Sequence, residues 1–369
     1  MTLEAARRIH ADLPVIDGHN DLPWAIRLHH DGLEDADTAG PLPMRHTDTA
    51  RLLAGGVGGQ FWSVYVPAWD ETPFATTIEQ IELVEEMCAR DPGLELVTTA
   101  AGLREARDRR RVAGMCGAEG GHCIEGSLDN LRELAGRGVR YMTLTHADTI
   151  DWADSATDTP RHGGLTDFGR EVIRELNRLA MLVDVSHVSA DTMRHAIEES
   201  TSPVIASHSN AYALANHPRN VPDDVLASVG ASGGVVMVNF YPPFVLQEAA
   251  DLSVEMFAEA RALMAELDDE KAVDLALADR RAALPRGSVG SVVDHIEHIA
   301  RVAGPESVGL GSDFDGIDVT TPGLEDVSCY PNITVELLRR GWDEPTIRDV
   351  LGGNILRVLE TAEQVAGYT

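Results

Sequence analysis

The sequence predicts an α/β fold in which eight parallel strands and their helices close one (β/α)8 barrel of the TIM type. Three observations carry that prediction. Eight short apolar, β-branched or small-residue runs recur along the 369 residues. Each run ends in polar, potentially reactive side chains, and amphipathic helical patterns separate most of them. Strands alternating with helices pair in parallel with the helices outside, and eight such units make a barrel. A doubly wound open sheet is the alternative, but no GxGxxG turn follows the first run.

Taken in order, the runs are PVIDGHND (14–21), GQFWSVYV (59–66), VAGMCGAEGG (112–121), VRYMTLTH (139–146), MLVDVSH (181–187), PVIASHS (203–209), GGVVMVNF (233–240) and SVGLGSDFDG (307–316). Helical spacing marks residues 77–91, 127–138, 166–180, 189–200 and 291–304, with a Ser N-cap candidate at 127 and terminal glycines at 138 and 304. Residues 31–48, rich in Asp, Thr and Pro, read as a surface loop. The longest excursion lies between the last two runs. Its Ala-, Leu-, Glu- and Arg-rich middle predicts a helical insertion at 245–290, a candidate lid or oligomer contact. Two or three C-terminal helices then close a single domain, 1–369.

Composition bounds the partners. With 30 basic and 60 acidic residues the formal charge is −30, which repels nucleic acid and anionic membrane. No apolar run approaches the ~20 residues of a membrane span. The opening MTLEAARRIHADLP lacks the apolar stretch of a secretory signal. A cytoplasmic chain is therefore expected, with Cys88, Cys116, Cys123 and Cys329 as reduced thiols, since they form no CxxC pair.

The strand ends are not a random polar sample. They present His19 and Asp21, Glu119, His146, His187, His208, and Asp313 with Asp315. Loops after barrel strands carry the chemistry, and imidazoles with carboxylates are the ligand set of zinc or a similar divalent metal. Side chains two apart in an extended segment point to the same side, so His19 and Asp21 can reach one metal. His187 and His208 end adjacent strands and can share a second. Glu119 could bridge both, and two such ions would hold a shared hydroxide as nucleophile. A carboxylated-lysine bridge is disfavoured, because the only lysine, Lys271, lies in the insertion. His10, His29, His30, His46, His162, His195, His217, His295 and His298 lack strand-end placement and read as surface or structural; His122 reads as loop support.

These residues carry a specific resemblance. VIDGHNDLPW, GGVGGQFWSVYVP, AEGGHCIEGSLDNLREL, RYMTLTH with DWADS, GLTDFGREVIRELNRL, DVSHVS, PVIASHSNAY, RNVPDDVL, VMVNFY, GSDFDG and GLEDVSCYPNIT span residue 15 to about 340. In that order they resemble the renal (membrane) dipeptidase family, binuclear zinc metallopeptidases of the amidohydrolase-like barrel group. The resemblance implies two Zn²⁺ per chain, held by His19 and Asp21 on one side, His187 and His208 on the other, and Glu119 between. It implies that His146 orients and polarises the scissile carbonyl and that Arg219 grips the substrate's C-terminal carboxylate. Asp313 would sit near the substrate amine and transfer protons, and Tyr241 would line the pocket. The implied substrate is a small dipeptide, including L-D dipeptides with a C-terminal D-residue, and the implied assembly a homodimer. Signal peptide, disulfides and lipid anchor of mammalian members have no counterpart in this sequence, so membrane anchoring is not expected. Another hydrolase on the same barrel, a lactonase, amidase or deaminase, is the rival reading.

Overall fold

The computed structural model describes residues 2–29, 32–267 and 269–367; His30, Asp31 and the outermost residues at each end lie outside the described residues. Nine strands occur among those described: β1 Val15–Asn20, β2 Val57–Tyr65, β3 Leu94–Leu96, β4 Val112–Glu119, β5 Val139–Thr143, β6 Leu182–Asp184, β7 Ile205–Ala206, β8 Val235–Val238 and β9 Val308–Leu310. Every pairing is parallel. β1 joins β2 to β9, β2 pairs directly with β4, and β4 through β9 follow consecutively. The eight sequence runs thus supply the eight staves of a closed (β/α)8 barrel. β3 is an addition, pairing only with Val112–Gly114 at the start of β4.

Period-two alternation sorts the strand side chains into two cores. Ile16, Phe61, Met115, Tyr141, Leu182, Ile205, Val235 and Met237 pack together, and the C-terminal helix Asn354–Val365 adds Ile355, Val358 and Leu359 to the same cluster. Their neighbours Val112, Cys116, Val183, Val236 and Val238 belong to the second cluster, shared with the surrounding helices. The helices form where the sequence puts apolar residues at helical spacing. Pro73–Arg90 buries Ile81, Val84, Met87 and Cys88 on one face. Ser127, Thr166 and Ser189 each cap a helix by accepting a backbone N–H with the side-chain oxygen, replacing bonds a first turn lacks.

Several strands are shorter than their runs for a local reason. The Asp184 carboxylate accepts the backbone N–H of Ser186 at 3.0 Å and of Ser207 at 2.8 Å. Those donors leave the ladder, so β6 and β7 end early and release the following histidines into loops.

The insertion is helical as expected, with Pro242–Val245, Gln247–Leu267 and Glu270–Ala282. Lys271 lies on the last of these. Arg261 ties the long helix to the loop after β5, donating to Asp158, Asp148 and the Ala147 carbonyl at 2.9–3.0 Å. Residues 32–48 are mostly irregular and partly exposed, as expected of a surface loop, but part of the segment packs inward. Leu33, Ala36, Thr38, Leu42, Thr47 and Asp48 are buried. The segment is held by Asn20 donating to Thr47 at 2.8 Å and by Asp315 accepting the His46 backbone N–H at 2.8 Å. Thr47 and the His46 backbone thus bond the barrel mouth, while Glu34, Asp35 and Asp37 face solvent.

Candidate active site and metal centre

Seven of the eight staves deliver a polar side chain to one end of the barrel. Asp21 follows β1, Glu119 ends β4, and Asn239 follows β8. His146, His187, His208 and Asp313 lie two or three residues beyond β5, β6, β7 and β9. His187 and Asp313 hold positive φ angles of 66° and 67°, a region sparsely used by residues with a Cβ and concentrated at functional sites.

Glu119 is the centre of the arrangement. Its Oε2 lies 3.4 Å from His19 Nε2. Its Oε1 lies 3.1 Å from His187 Nε2, 3.5 Å from His208 Nε2 and 4.0 Å from His146 Nε2. Asp21 Oδ2 stands 3.2 Å from His19 Nε2, and Asp313 joins these two in a compact buried group. The five side chains assigned to metal from spacing therefore meet, with one carboxylate oxygen turned to each half.

The imidazoles are set up as ligands. His19 Nδ1 bonds the Tyr141 hydroxyl at 2.8 Å, and His208 Nδ1 bonds Ser207 Oγ at 2.8 Å. Ser207 in turn donates to Asp184 at 2.6 Å. That relay makes His208 Nδ1 the protonated nitrogen and leaves Nε2 with a lone pair. His19 Nε2 is buried with carboxylate oxygens at 3.2 and 3.4 Å but no well-aligned hydrogen bond, and His187 and His208 face each other Nε2 to Nε2 at 2.9 Å. Burial, with the nearby Arg219 charge, drives both of the latter well below the usual imidazole pKa. Burial also opposes a proton on His19, but Tyr141, Glu119 and Asp21 outweigh it. Neutral His187 and His208, with His19 Nε2 set between carboxylates that draw positive charge to it, fit divalent cations.

Around this centre the other expected residues take distinct places. His146 packs its ring on Tyr65 and His187, with centroids at 4.7 and 4.3 Å, and burial lowers its pKa to about 4. Burial pushes Asp313 up to about 7; Asp21 and Glu119 reinforce it against the pull of His19, and Asn239 donates to its Oδ2 at 2.8 Å. Arg219 is only 2% exposed. Its guanidinium makes just two long hydrogen bonds, 3.3 Å to Ser209 Oγ and 3.4 Å to the His208 carbonyl, and lies 5.1 Å from the Phe244 ring centre. It forms no carboxylate pair among the described residues. Tyr241 stacks edge-on against the same Phe244 at 5.2 Å.

Asp315 stays outside the group and accepts the His46 backbone N–H at 2.8 Å, and His122 bonds the Val66 carbonyl at 3.0 Å instead. The remaining described histidines are structural where their contacts are defined, such as His10, His295 and His298. Sequence reasoning missed the supports: Ser63 donating to Glu119 at 2.9 Å, Tyr141, Asn239, Ser207, Asp184 and Asp17. A signal existed for the last two, each a carboxylate inside an otherwise apolar strand run.

A barrel whose strand ends converge on histidines and carboxylates around a buried unpaired arginine defines a metal-dependent hydrolase of the (β/α)8 class. The comparisons make the class particular. The family model "Membrane dipeptidase (Peptidase family M19)" matches residues 3–369, and the chain belongs to that family. It is 38% identical over 370 residues to Dipeptidase 3 of Mus musculus, covering 98% of this chain and 67% of that protein. Dipeptidase 3 of Rattus norvegicus is likewise 38% identical, covering 98% and 68%. The chain thus spans about two thirds of those relatives' length. Among solved structures it is similar to the "probable dipeptidase PvdM" from Pseudomonas aeruginosa, with TM-score 0.85, 23% identity and 99% of each chain covered. It is also similar to a metallo peptidase from Rhodobacter sphaeroides liganded with a phosphinate mimic of the dipeptide L-Ala-D-Ala, with TM-score 0.78, 23% identity and 95% and 99% covered. At these identities the two structures speak to the fold. The family and the site together make this chain a metallodipeptidase-type hydrolase.

Proposed function

We propose that the site hydrolyses dipeptides bearing a free C-terminal carboxylate, including those with a D-residue at that end. One observation carries the reading: Arg219 is a buried guanidinium without a carboxylate, beside a ligand group built for metal. Burying an unpaired cation is costly, and the substrate's carboxylate would supply the missing partner through two parallel N–H donors. Acceptance of a D-residue at that end draws support from the solved relative liganded with a phosphinate mimic of L-Ala-D-Ala.

His19 and Asp21 would hold one zinc ion, His187 and His208 a second, with Glu119 shared. When bound, such ions supply Lewis acidity and lower the pKa of a coordinated water toward neutrality. The chain's own groups do the rest. Arg219 fixes the C-terminus and so sets the scissile carbonyl one residue away. His146 lies 4.0 Å from Glu119 and orients the carbonyl oxygen as negative charge develops on it. Asp313 accepts the proton released when water adds to the carbonyl carbon. It returns a proton to the nitrogen as the C–N bond breaks, so the amine leaves neutral. Asn239 holds Asp313 for both transfers, and Tyr241 with Phe244 walls the pocket.

The test compares a dipeptide with its C-terminal amide on zinc-loaded protein. Loss of the charged partner should lower kcat/KM by about tenfold to a hundredfold, the worth of a charge-assisted pair. Equal rates for acid and amide would overturn carboxylate recognition. One continuous domain over 1–369, a cytoplasmic location and a homodimer are proposals on the sequence reading. No helix among the described residues is long and apolar enough to cross a membrane.

A further inference from the structure

At the opposite end of the strands, where β2 and β4 begin, lies a cavity of about 550 Å³. Its walls come from the N-terminal helix Leu3–Asp12, the turn into β2, and the turn into β4. Four arginines line it, Arg7, Arg107, Arg110 and Arg111, and no acidic residue does. That is unexpected in a chain with twice as many acidic as basic residues. Many arginines elsewhere sit in ion pairs, as Arg109 does with Glu95 at 2.6 Å.

The four are unequally committed. Arg111 reaches Glu95 at 3.3 Å, and Arg107 donates to the Asp12 carbonyl at 2.6 Å. The Arg7 and Arg110 side chains make neither hydrogen bond nor ion pair among the described residues. Like charges gathered at one cavity repel unless an anion compensates them. His10, also in the wall, is not a candidate cation. Burial lowers it to about 4, and its ring nitrogens are engaged by the Gly55 carbonyl at 2.9 Å and Thr334 at 2.7 Å. The rest of the lining is largely apolar, including Ala11, Pro14, Leu53 and Pro331.

We propose that this cavity binds a phosphomonoester of a small organic molecule. Arg7 and Arg110 engage the phosphate, with Arg107 beside them, and the apolar wall takes the organic body. A phosphate dianion offers three acceptor oxygens to several guanidinium forks, whereas a single carboxylate satisfies one. The cavity volume falls within the range of small-molecule sites and exceeds what inorganic phosphate alone would fill.

The probe is phenyl phosphate, titrated calorimetrically into zinc-loaded protein at constant ionic strength. One saturable site per chain is expected, with inorganic phosphate weaker by about tenfold for want of the apolar body. The double variant Arg7→Gln/Arg110→Gln should weaken phenyl phosphate at least about tenfold, with dipeptide turnover and melting temperature unchanged. Arg301→Gln, on the helix Val289–Ala303, should leave binding intact. Absence of saturable binding, or binding undiminished in the double variant, overturns the proposal. So does inorganic phosphate binding as tightly as the ester. Hexaglutamate binding more tightly than the ester, with the same sensitivity to the double variant, would assign the cavity to an acidic protein segment instead.

Discussion

Arg219 and Glu119 show how one side chain's surroundings fix its task. Arg219 stays cationic although burial lowers it to about 10, the neighbouring Asp313, Glu119 and Asp184 acting against that loss. Arg219→Met keeps the packing on Phe244 and removes the charge. Steady-state kinetics should show KM for a dipeptide rising about tenfold to a hundredfold with kcat changed far less. An unaltered KM would remove Arg219 from substrate binding. Glu119 presents one oxygen to His19 and the other to His187 and His208. Glu119→Gln halves its capacity to serve two cations, so metal analysis should find at least one zinc fewer per chain than wild type. Chelation of the wild type should abolish dipeptide hydrolysis. Two retained zinc ions in the variant would count against the shared carboxylate.

Between elements, the decisive device is the early end of the strands. Asp184 captures two backbone donors, and on the far side Asp17 accepts the Ser312 backbone N–H at 2.8 Å and the Ser312 hydroxyl at 2.7 Å. These bonds bring the loops after β6, β7 and β9 into close approach beneath His19, His187 and His208. At Gly311 the approach leaves no room: a Cβ would fall 1.8 Å from the Ser207 carbonyl oxygen. Backbone cannot step aside as a flexible side-chain end can. Gly311→Ala should therefore destabilise by about 1–3 kcal/mol or more in denaturant unfolding, with weakened metal retention because Ser207 supports His208. A variant as stable as wild type would mean the loops are freer than this packing implies.

For the molecule as a whole, stability depends on histidines kept neutral in the interior. His10 joins the N-terminal helix to Gly55 and to Thr334 on the helix Tyr330–Arg339. Its pKa is lowered to about 4, against an ordinary 6.5, chiefly by burial, with the Gly55 hydrogen bond opposing. As pH falls below 6.5 the unfolded chain binds this proton first, so the native state loses ground. The contribution is complete above 6.5 and lost on descending to about 4, about 3 kcal/mol in all. Unfolding curves across that interval should be less pH-dependent for His10→Gln than for wild type. Equal slopes would show that His10 is protonated in the fold.

The sequence by itself determined the barrel and singled out the candidate ligands. Alternation of strand and helix patterns requires parallel pairing, and eight apolar runs ending in His, Asp or Glu mark both the staves and their reactive ends. His19 with Asp21 was legible because period two places them together. What only the tertiary structure decided is which groups face which. Closure of β2 onto β4, bypassing β3, brings Ser63 to Glu119. Residues 32–48 read as solvent-facing because polar side chains bonded to a distant loop look, in sequence, like side chains bonded to water. Only the family resemblance singles out Arg219, because its local sequence offers no sign of the role. Its burial without a partner is a property of three segments meeting, and no local pattern records that.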